Sequence, residues 1–222
     1  MNLVRVYKFY SARWGIDALY RQRLKIATDR DINDPFEFLA AGRDKVTRSE
    51  AKRLRKELFQ KNGIISFCKN WSEPLLWSHY AENHRGIALG FDIPKWNCFD
   101  VRYTHHRVWL PDENSDSYVF GEKLDFWQSI KVTKSSRWEY ESESRVFPPL
   151  ETAVYENGLY FWRFQDLGNL KEIIIGADYE GGKNSSLHKK LTESGVRIRT
   201  ARLAFKDFSV RAQMATRLQK YL

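Results

Sequence analysis

The chain has 222 residues, of which 42% are hydrophobic and 29% charged. That balance excludes a disordered chain, and no apolar run approaches the roughly 20 residues needed to cross a bilayer. Two cysteines, Cys68 and Cys98, exclude a disulfide framework and a four-cysteine zinc site, so both thiols are expected reduced in a cytoplasmic protein.

The length suits one domain over residues 1–222, long enough to bury a core. The opening MNLVRVYKFY reads as a strand and lacks the apolar stretch and small-residue cleavage site of a secretory signal. The net charge of +9 is unevenly spread. Residues 1–70 carry 16 Lys and Arg against 8 Asp and Glu, and residues 180–222 carry 10 against 3. An acidic centre thus lies between two basic ends. This pattern predicts a landing surface for phosphates around a carboxylate site, with nucleic acid as partner and no membrane.

In chain order, Val4 to Ser11 alternates as a strand, with Val4, Val6 and Lys8 on one face and Arg5, Tyr7 and Phe9 on the other. A short helix follows at about Gly15–Gln22, then a strand at Leu24–Thr28. Asn33-Asp34-Pro35 signals a turn. Thr47 and Glu50 have capping-box spacing and open a helix to about Lys61, with Ala51, Leu54 and Leu58 inward. Its outer faces carry Arg48, Lys52, Arg53, Arg55 and Lys56, either a solvated surface or a nucleic-acid contact. Ile64–Cys68 reads as a strand. Ser72 caps a helix with Pro74 in its first turn, and Gly86 is expected to end it. Gly86–Asp92 is a strand with Ile87, Leu89 and Phe91 on one face. Trp109–Ser117 reads as an exposed loop and Lys123–Ser129 as a helix. Trp138–Phe147 and Glu172–Ala177 read as strands. A helix at Ser185–Ser194, stopped by Gly195, precedes a strand at Val196–Phe205 and a terminal helix at Phe208–Leu222. Strands and helices mix without regular alternation, which predicts an α+β fold rather than a doubly wound sheet.

The most specific local pattern is Arg137 to Arg145. As a strand, it would place Glu139, Glu141 and Glu143 on one face together with Arg137 and Arg145. Carboxylates in such a row repel unless a cation lies among them or one is protonated. They suit metal binding, acid–base work or stabilisation of positive charge beside a sugar, against the plainer alternative of a salt-bridged surface ladder. The segment Trp71 to Gly86 holds Trp77, His79 and Tyr80 at helical spacing, as a core helix or as part of a site. No third ligand is evident near His79, and the adjacent pair His105-His106 has poor ligand geometry. The sequence holds no P-loop, no Rossmann glycine fingerprint and no nucleophile elbow.

Four segments together resemble a bacterial domain family of unassigned function: YKFYS (Tyr7 to Ser11), NDPFE (Asn33 to Glu37), Ile64 to Asp92, and W-x-Y-E-x-E-x-R (Trp138 to Arg145). Their order also resembles the ADP-ribosyltransferase superfamily, in particular the DNA-modifying DarT-type toxins. That resemblance implies a split mixed sheet with flanking helices, NAD as the consumed cofactor, a nucleic-acid acceptor, and a toxin or phage-defence role with a possible antitoxin. It implies that Tyr7, Lys8, Tyr10, Ser11 and Asn33 help grip NAD, with Ser66 supporting the nicotinamide pocket and Trp77, His79 or Tyr80 beside it. Glu143 would hold the ribose, Glu141 would serve the acceptor, and Lys8 or Arg145 would neutralise the pyrophosphate. Tyr7 and Lys8 stand where the superfamily usually has a first-strand His or Arg. Two rivals follow from the residues alone. One is a metal-dependent nuclease using Glu139, Glu141 and Glu143 with Asp34 or Asp92. The other is a non-enzymatic nucleic-acid binder.

Overall fold

The computed structural model describes residues 2–42, 44–109, 118–119, 122–123, 126–181 and 185–222. The chain opens with β1 (Leu3–Tyr10), α1 (Ala12–Arg21), β2 (Arg23–Ile26) and α2 (Lys45–Lys61). Then come β3 (Ile65–Cys68), α3 (Pro74–Tyr80), β4 (Ile87–Pro94), β5 (Phe99–Asp100) and β6 (Arg102–Thr104). The middle holds β7 (Tyr118–Val119), β8 (Glu122–Lys123), α4 (Phe126–Val132), β9 (Thr133–Ser135) and β10 (Glu143–Val146). The last part holds β11 (Val154–Glu156), β12 (Leu159–Arg163), α5 (Phe164–Leu167), β13 (Asn169–Ile175), α6 (Ser185–Glu193), β14 (Arg197–Leu203) and β15 (Val210–Ala212). The fold is α+β, as expected.

One mixed sheet of eight strands dominates, in the order β15-β14-β13-β4-β1-β3-β10-β5. Its centre is β1 against β4, antiparallel over eight register pairs from Leu3–Pro94 to Tyr10–Ile87. The alternation of β1 and β4 carries through to packing. Val6, Ile87, Leu89 and Phe91 join the larger core with Leu19 of α1 and Leu187 of α6. Tyr7, Phe9 and Ala88 face the opposite core, which holds Trp77 and Leu76 of α3. A third cluster of Phe38, Ala51, Phe59 and Ile130 lies between α2 and α4.

β1 meets β3 at one register pair alone, Tyr7 with Cys68. β3 continues instead along β10, four pairs from Glu143–Cys68 to Val146–Ile65. The sheet therefore opens between β1 and β3. Lys8 spans the opening, its ammonium donating to the Ser66 carbonyl at 3.0 Å.

Several expectations need correction. The Trp138–Phe147 strand is a 3-10 helix over Ser136–Glu141, followed by the short β10. The terminal helix is absent: Phe208–Leu222 holds β15 and one 3-10 turn at Thr216–Leu218. β15 instead pairs antiparallel with β14, burying Val210 in the α3-side core. The α2 cap is Asp44, which accepts from the Thr47 amide at 2.8 Å, and Phe59 joins Ala51 in its buried stripe. The α3 cap is Glu73 rather than Ser72. Gly86 does not end α3. Ala81 is the C-cap, and Glu82, Asn83 and His84 follow in left-handed conformation. Gly86 is small because a β-carbon there would lie 2.0 Å from the Tyr10 carbonyl oxygen. The predicted helix at Lys123–Ser129 begins later, as α4. Of the predicted loop Trp109–Ser117, Trp109 bridges to Ala41 and residues 110–117 lie outside the described residues.

Candidate functional site

The NDPFE segment folds into a tight turn. The Asp34 carboxylate accepts from the Phe36 amide at 2.9 Å, and the Glu37 amide donates to the Asp34 carbonyl at 3.1 Å. This turn aims Glu37 inward. Phe38, left-handed at φ 56°, places its ring 4.8 Å from the Arg145 guanidinium.

Glu141 ends the 3-10 helix and Glu143 begins β10. Ser142 between them is left-handed, at φ 43° and ψ 53°. That kink, rather than strand periodicity, brings both carboxylates to one cavity. Glu139 and Arg137 stay exposed on the 3-10 helix, so the predicted face of three glutamates does not form. The third carboxylate is Glu37, from a segment more than 100 positions away.

Two buried cations hold the three acids. Lys134 of β9 reaches Glu141 at 2.5 Å, Glu143 at 3.1 Å and Glu37 at 3.4 Å. Arg145 forks onto Glu143 at 2.7 and 2.9 Å, donates to the Lys131 carbonyl at 2.8 Å, and pairs with Glu37. The Glu143 amide donates to the Tyr103 hydroxyl at 2.7 Å. The Tyr80 hydroxyl donates to Glu141 at 2.5 Å, and Asn33 lines the same cavity.

The electrostatics separate these groups. Burial alone would raise Glu143. Arg145 and Lys134 overcome it, and with the Ser66 hydroxyl they bring the carboxyl down to about 2. Glu37 goes the other way: burial pushes it above the usual carboxylate range, and Arg145 and Lys134 offset that only in part. Burial lowers the Lys8 amine, with Glu143 and Glu141 pulling the other way. Burial raises the Tyr80 phenol, and its bond to Glu141 raises it further.

A cavity of about 280 Å³ opens where β1 and β3 part. Lys8, Asn33, Ser66, Tyr80, Glu141 and Glu143 all line it, as does the edge of the Tyr7 ring. Glu37 and Lys134 line it too. Glu37 closes the NDPFE segment just past its turn signal, and no local pattern marks its carboxylate. Lys134 lies before the W-x-Y-E-x-E-x-R segment, 7 and 9 positions from Glu141 and Glu143, in no motif of its own. A second cavity of about 240 Å³ lies across Glu37 and Lys134, lined also by Phe36, Thr104, His106 and Arg107.

Other expected site residues fall elsewhere. Trp77 is fully buried, stacked edge-on to Phe9 at 5.0 Å, and its indole N–H donates to the Trp71 carbonyl. His79 is exposed and does not line the cavity. Tyr10 packs on the larger core, and Ser11 is the N-cap of α1 without a side-chain bond. The Tyr7 hydroxyl points away, to Glu172 at 2.8 Å. Arg145 is sealed behind Glu143, so it cannot meet a pyrophosphate. Asp92, a carboxylate of the nuclease alternative, is clamped by Arg5 at 2.5 and 3.0 Å. Asp34 is used in its own turn. Among the described residues, no three His, Cys, Asp or Glu side chains are grouped to hold a metal ion.

The three arginines of the basic helix α2 each have a partner. Arg53 pairs with Glu50 and Glu57, Arg55 with Asp29 at 2.6 Å, and Arg48 donates to the Asp44 carbonyl. Lys52 and Lys56 remain exposed. Both cysteines are buried and reduced, with the Cys68 thiol pushed up to about 12 and Cys98 to about 11, chiefly by burial. No helix of the described residues is long and apolar enough to cross a membrane.

Compared with known proteins, the chain matches no family model, no curated protein and no solved structure.

Proposed function

We propose that the chain is an NAD-dependent ADP-ribosyltransferase that modifies nucleic acid, in the role of a toxin or phage-defence effector. One observation carries this reading. Lys8, Asn33, Ser66, Tyr80, Glu141 and Glu143, picked from separate sequence segments, converge on the cavity in the opened sheet. Its volume lies near the lower end for ligand sites and suits the nicotinamide–ribose half of NAD.

NAD supplies the ADP-ribosyl group: its ribose–nicotinamide bond breaks, the electron pair leaves with nicotinamide, and the acceptor atom bonds the ribose. Positive charge develops on the sugar as that bond breaks. Glu143 answers this need as a carboxylate held ionised in a fixed place by Arg145 and Lys134, so little reorganisation is required. Ser66 and Asn33 present polar groups to the sugar. Tyr80 takes the ring-stacking role in place of Trp77. Glu141, bonded to the Tyr80 hydroxyl, accepts the acceptor's proton directly or through that phenol. A phosphate arriving beside Lys8 would favour the charged amine that burial disfavours.

The test separates two roles. Glu143→Gln is expected to abolish both NAD hydrolysis and transfer, by about 10²–10³-fold. Glu141→Gln is expected to suppress transfer by about 10²–10⁴-fold while leaving hydrolysis to water. Nicotinamide release and labelling of nucleic acid from labelled NAD read the two activities. Full activity in a folded Glu143→Gln protein would remove the assignment.

A further inference from the structure

The hairpin joining β14 to β15 has an unusual tip. Ala204 donates to the Ser209 carbonyl at 2.9 Å and closes the four-residue loop Phe205-Lys206-Asp207-Phe208. Phe205 is 90% exposed and Phe208 fully exposed. Soluble surfaces seldom present two whole aromatic rings within one four-residue loop. The tip carries contacts of its own. Arg202 lays its guanidinium 4.5 Å from the Phe205 ring centre, and Asp207 accepts from Ser209 and, at 3.2 Å, from Arg211.

A second observation points to an anion. Arg202 and Arg211 are direct register partners in the antiparallel pair, so they share one face. Like charges directly opposite are destabilising in a ladder, and Asp207 touches only one of them. Lys206 adds a third cation at the tip, within a segment of 10 basic and 3 acidic residues over 180–222. Aromatic faces beside guanidinium groups and an unbalanced positive pair suit a ligand with both flat rings and phosphates.

We infer that this hairpin binds single-stranded nucleic acid, bases stacking on Phe205 and Phe208 and phosphates meeting Arg202, Lys206 and Arg211. A duplex hides its base faces, so it offers the rings nothing. A membrane is the poorer occupant, because Asp207 lies between the two rings and would enter an anionic headgroup layer with them. The amide of Val210, at the start of β15, donates to the Ser72 carbonyl at 2.8 Å, just ahead of α3. That helix carries Tyr80, so the hairpin is tied to an element of the cavity wall. The binding stands without enzymatic activity; only the role of the bound strand as acceptor rests on the transferase reading.

The test is fluorescence anisotropy of the full chain with labelled single-stranded DNA and RNA oligomers. A duplex of the same sequence, and vesicles of phosphatidylserine and phosphatidylcholine, are run beside them. Phe205→Ala and Phe208→Ala are each expected to weaken oligomer binding roughly ten-fold. Arg202→Gln with Arg211→Gln is expected to flatten the log–log salt dependence by about 0.7 per lost contact. Both ring side chains are exposed, so circular dichroism should be unchanged. Unaltered oligomer affinity in the double Phe variant overturns the inference. So does binding to vesicles instead of oligomers, or a dimer that the double variant converts to monomer. Nicotinamide release without oligomer is read on the same proteins. A wild type that binds oligomer by this hairpin yet leaves NAD intact refutes the transferase reading while upholding this one.

Discussion

Three carboxylates and two cations within hydrogen-bonding reach, nearly all sealed from water, make Glu143 the most constrained residue of the site. Its stability contribution follows from its environment. The carboxyl titrates near 2 in the folded chain against an ordinary 4.5. A depressed acid stabilises the fold above its ordinary value, and that contribution disappears as pH falls from about 4.5 through about 2. The amount at stake is on the order of 3 kcal/mol. Glu37 acts in the opposite sense. Its raised carboxyl favours the fold when protonated and loses that as pH rises, so it offsets part of the acid loss. Urea melts between pH 5 and 2 are therefore expected to show a falling stability that Glu143→Gln flattens. The variant starts lower, by about 3 kcal/mol, because Arg145 and Lys134 lose one of their buried carboxylate partners and keep Glu37. A wild-type slope retained in the variant would assign acid sensitivity to other groups.

At the scale of elements, the kink at Ser142 decides the site. A left-handed conformation costs a non-glycine residue roughly 1–2 kcal/mol, and here it aligns the end of a 3-10 helix with the start of β10. Ser142→Gly is expected to keep activity and shift stability by no more than about 1 kcal/mol. Ser142→Val, branched at the β-carbon, should lose about 2 kcal/mol and misplace Glu141 against Glu143. Thermal melts and nicotinamide release on the two variants check this. Equal behaviour of glycine and valine would mean the kink is not under strain. Asn157-Gly158, both with positive φ, joins β11 to β12 as a two-residue hairpin turn between aromatic runs.

Over the whole molecule, the two basic ends behave differently. The arginines of α2 meet acidic neighbours and a backbone carbonyl; in the β14–β15 hairpin Arg211 meets Asp207 and Arg202 the Leu203 carbonyl, but there the two guanidinium groups stand on directly opposed register positions. Lys52→Glu with Lys56→Glu is accordingly expected to leave the salt dependence of oligomer binding within about one contact of wild type. A slope reduced by two contacts would return α2 to the interface. Net charge by itself does not distinguish these cases, because a formal count ignores which charges are already paired.

Periodicity in the sequence determined the central strands. β1 and β4 direct successive residues to two opposite cores, Val6, Ile87, Leu89 and Phe91 to one and Tyr7, Phe9 and Ala88 to the other, and the period of two fixes their orientation. Residue chemistry and motif order single out Glu141, Glu143, Tyr80, Ser66, Lys8 and Asn33, and all six line one cavity. Tertiary structure alone decided the rest. Glu37 enters the site through contacts with Lys134 and Arg145 from a distant segment, and Lys134 through the fold of the turn between β9 and β10; no local pattern encodes either meeting. Trp138–Phe147 alternates like a strand, yet Trp138–Glu141 coils and only Glu143–Val146 extends, because Lys134 and Tyr80 offer Glu141 better partners than a ladder would. Residues 208–222 have helix-like composition, but burial of Val210 and the open edge of β14 draw the start of that stretch into the sheet. Local preference amounts to tenths of a kcal/mol per residue, and a buried side chain or a satisfied buried charge outweighs it.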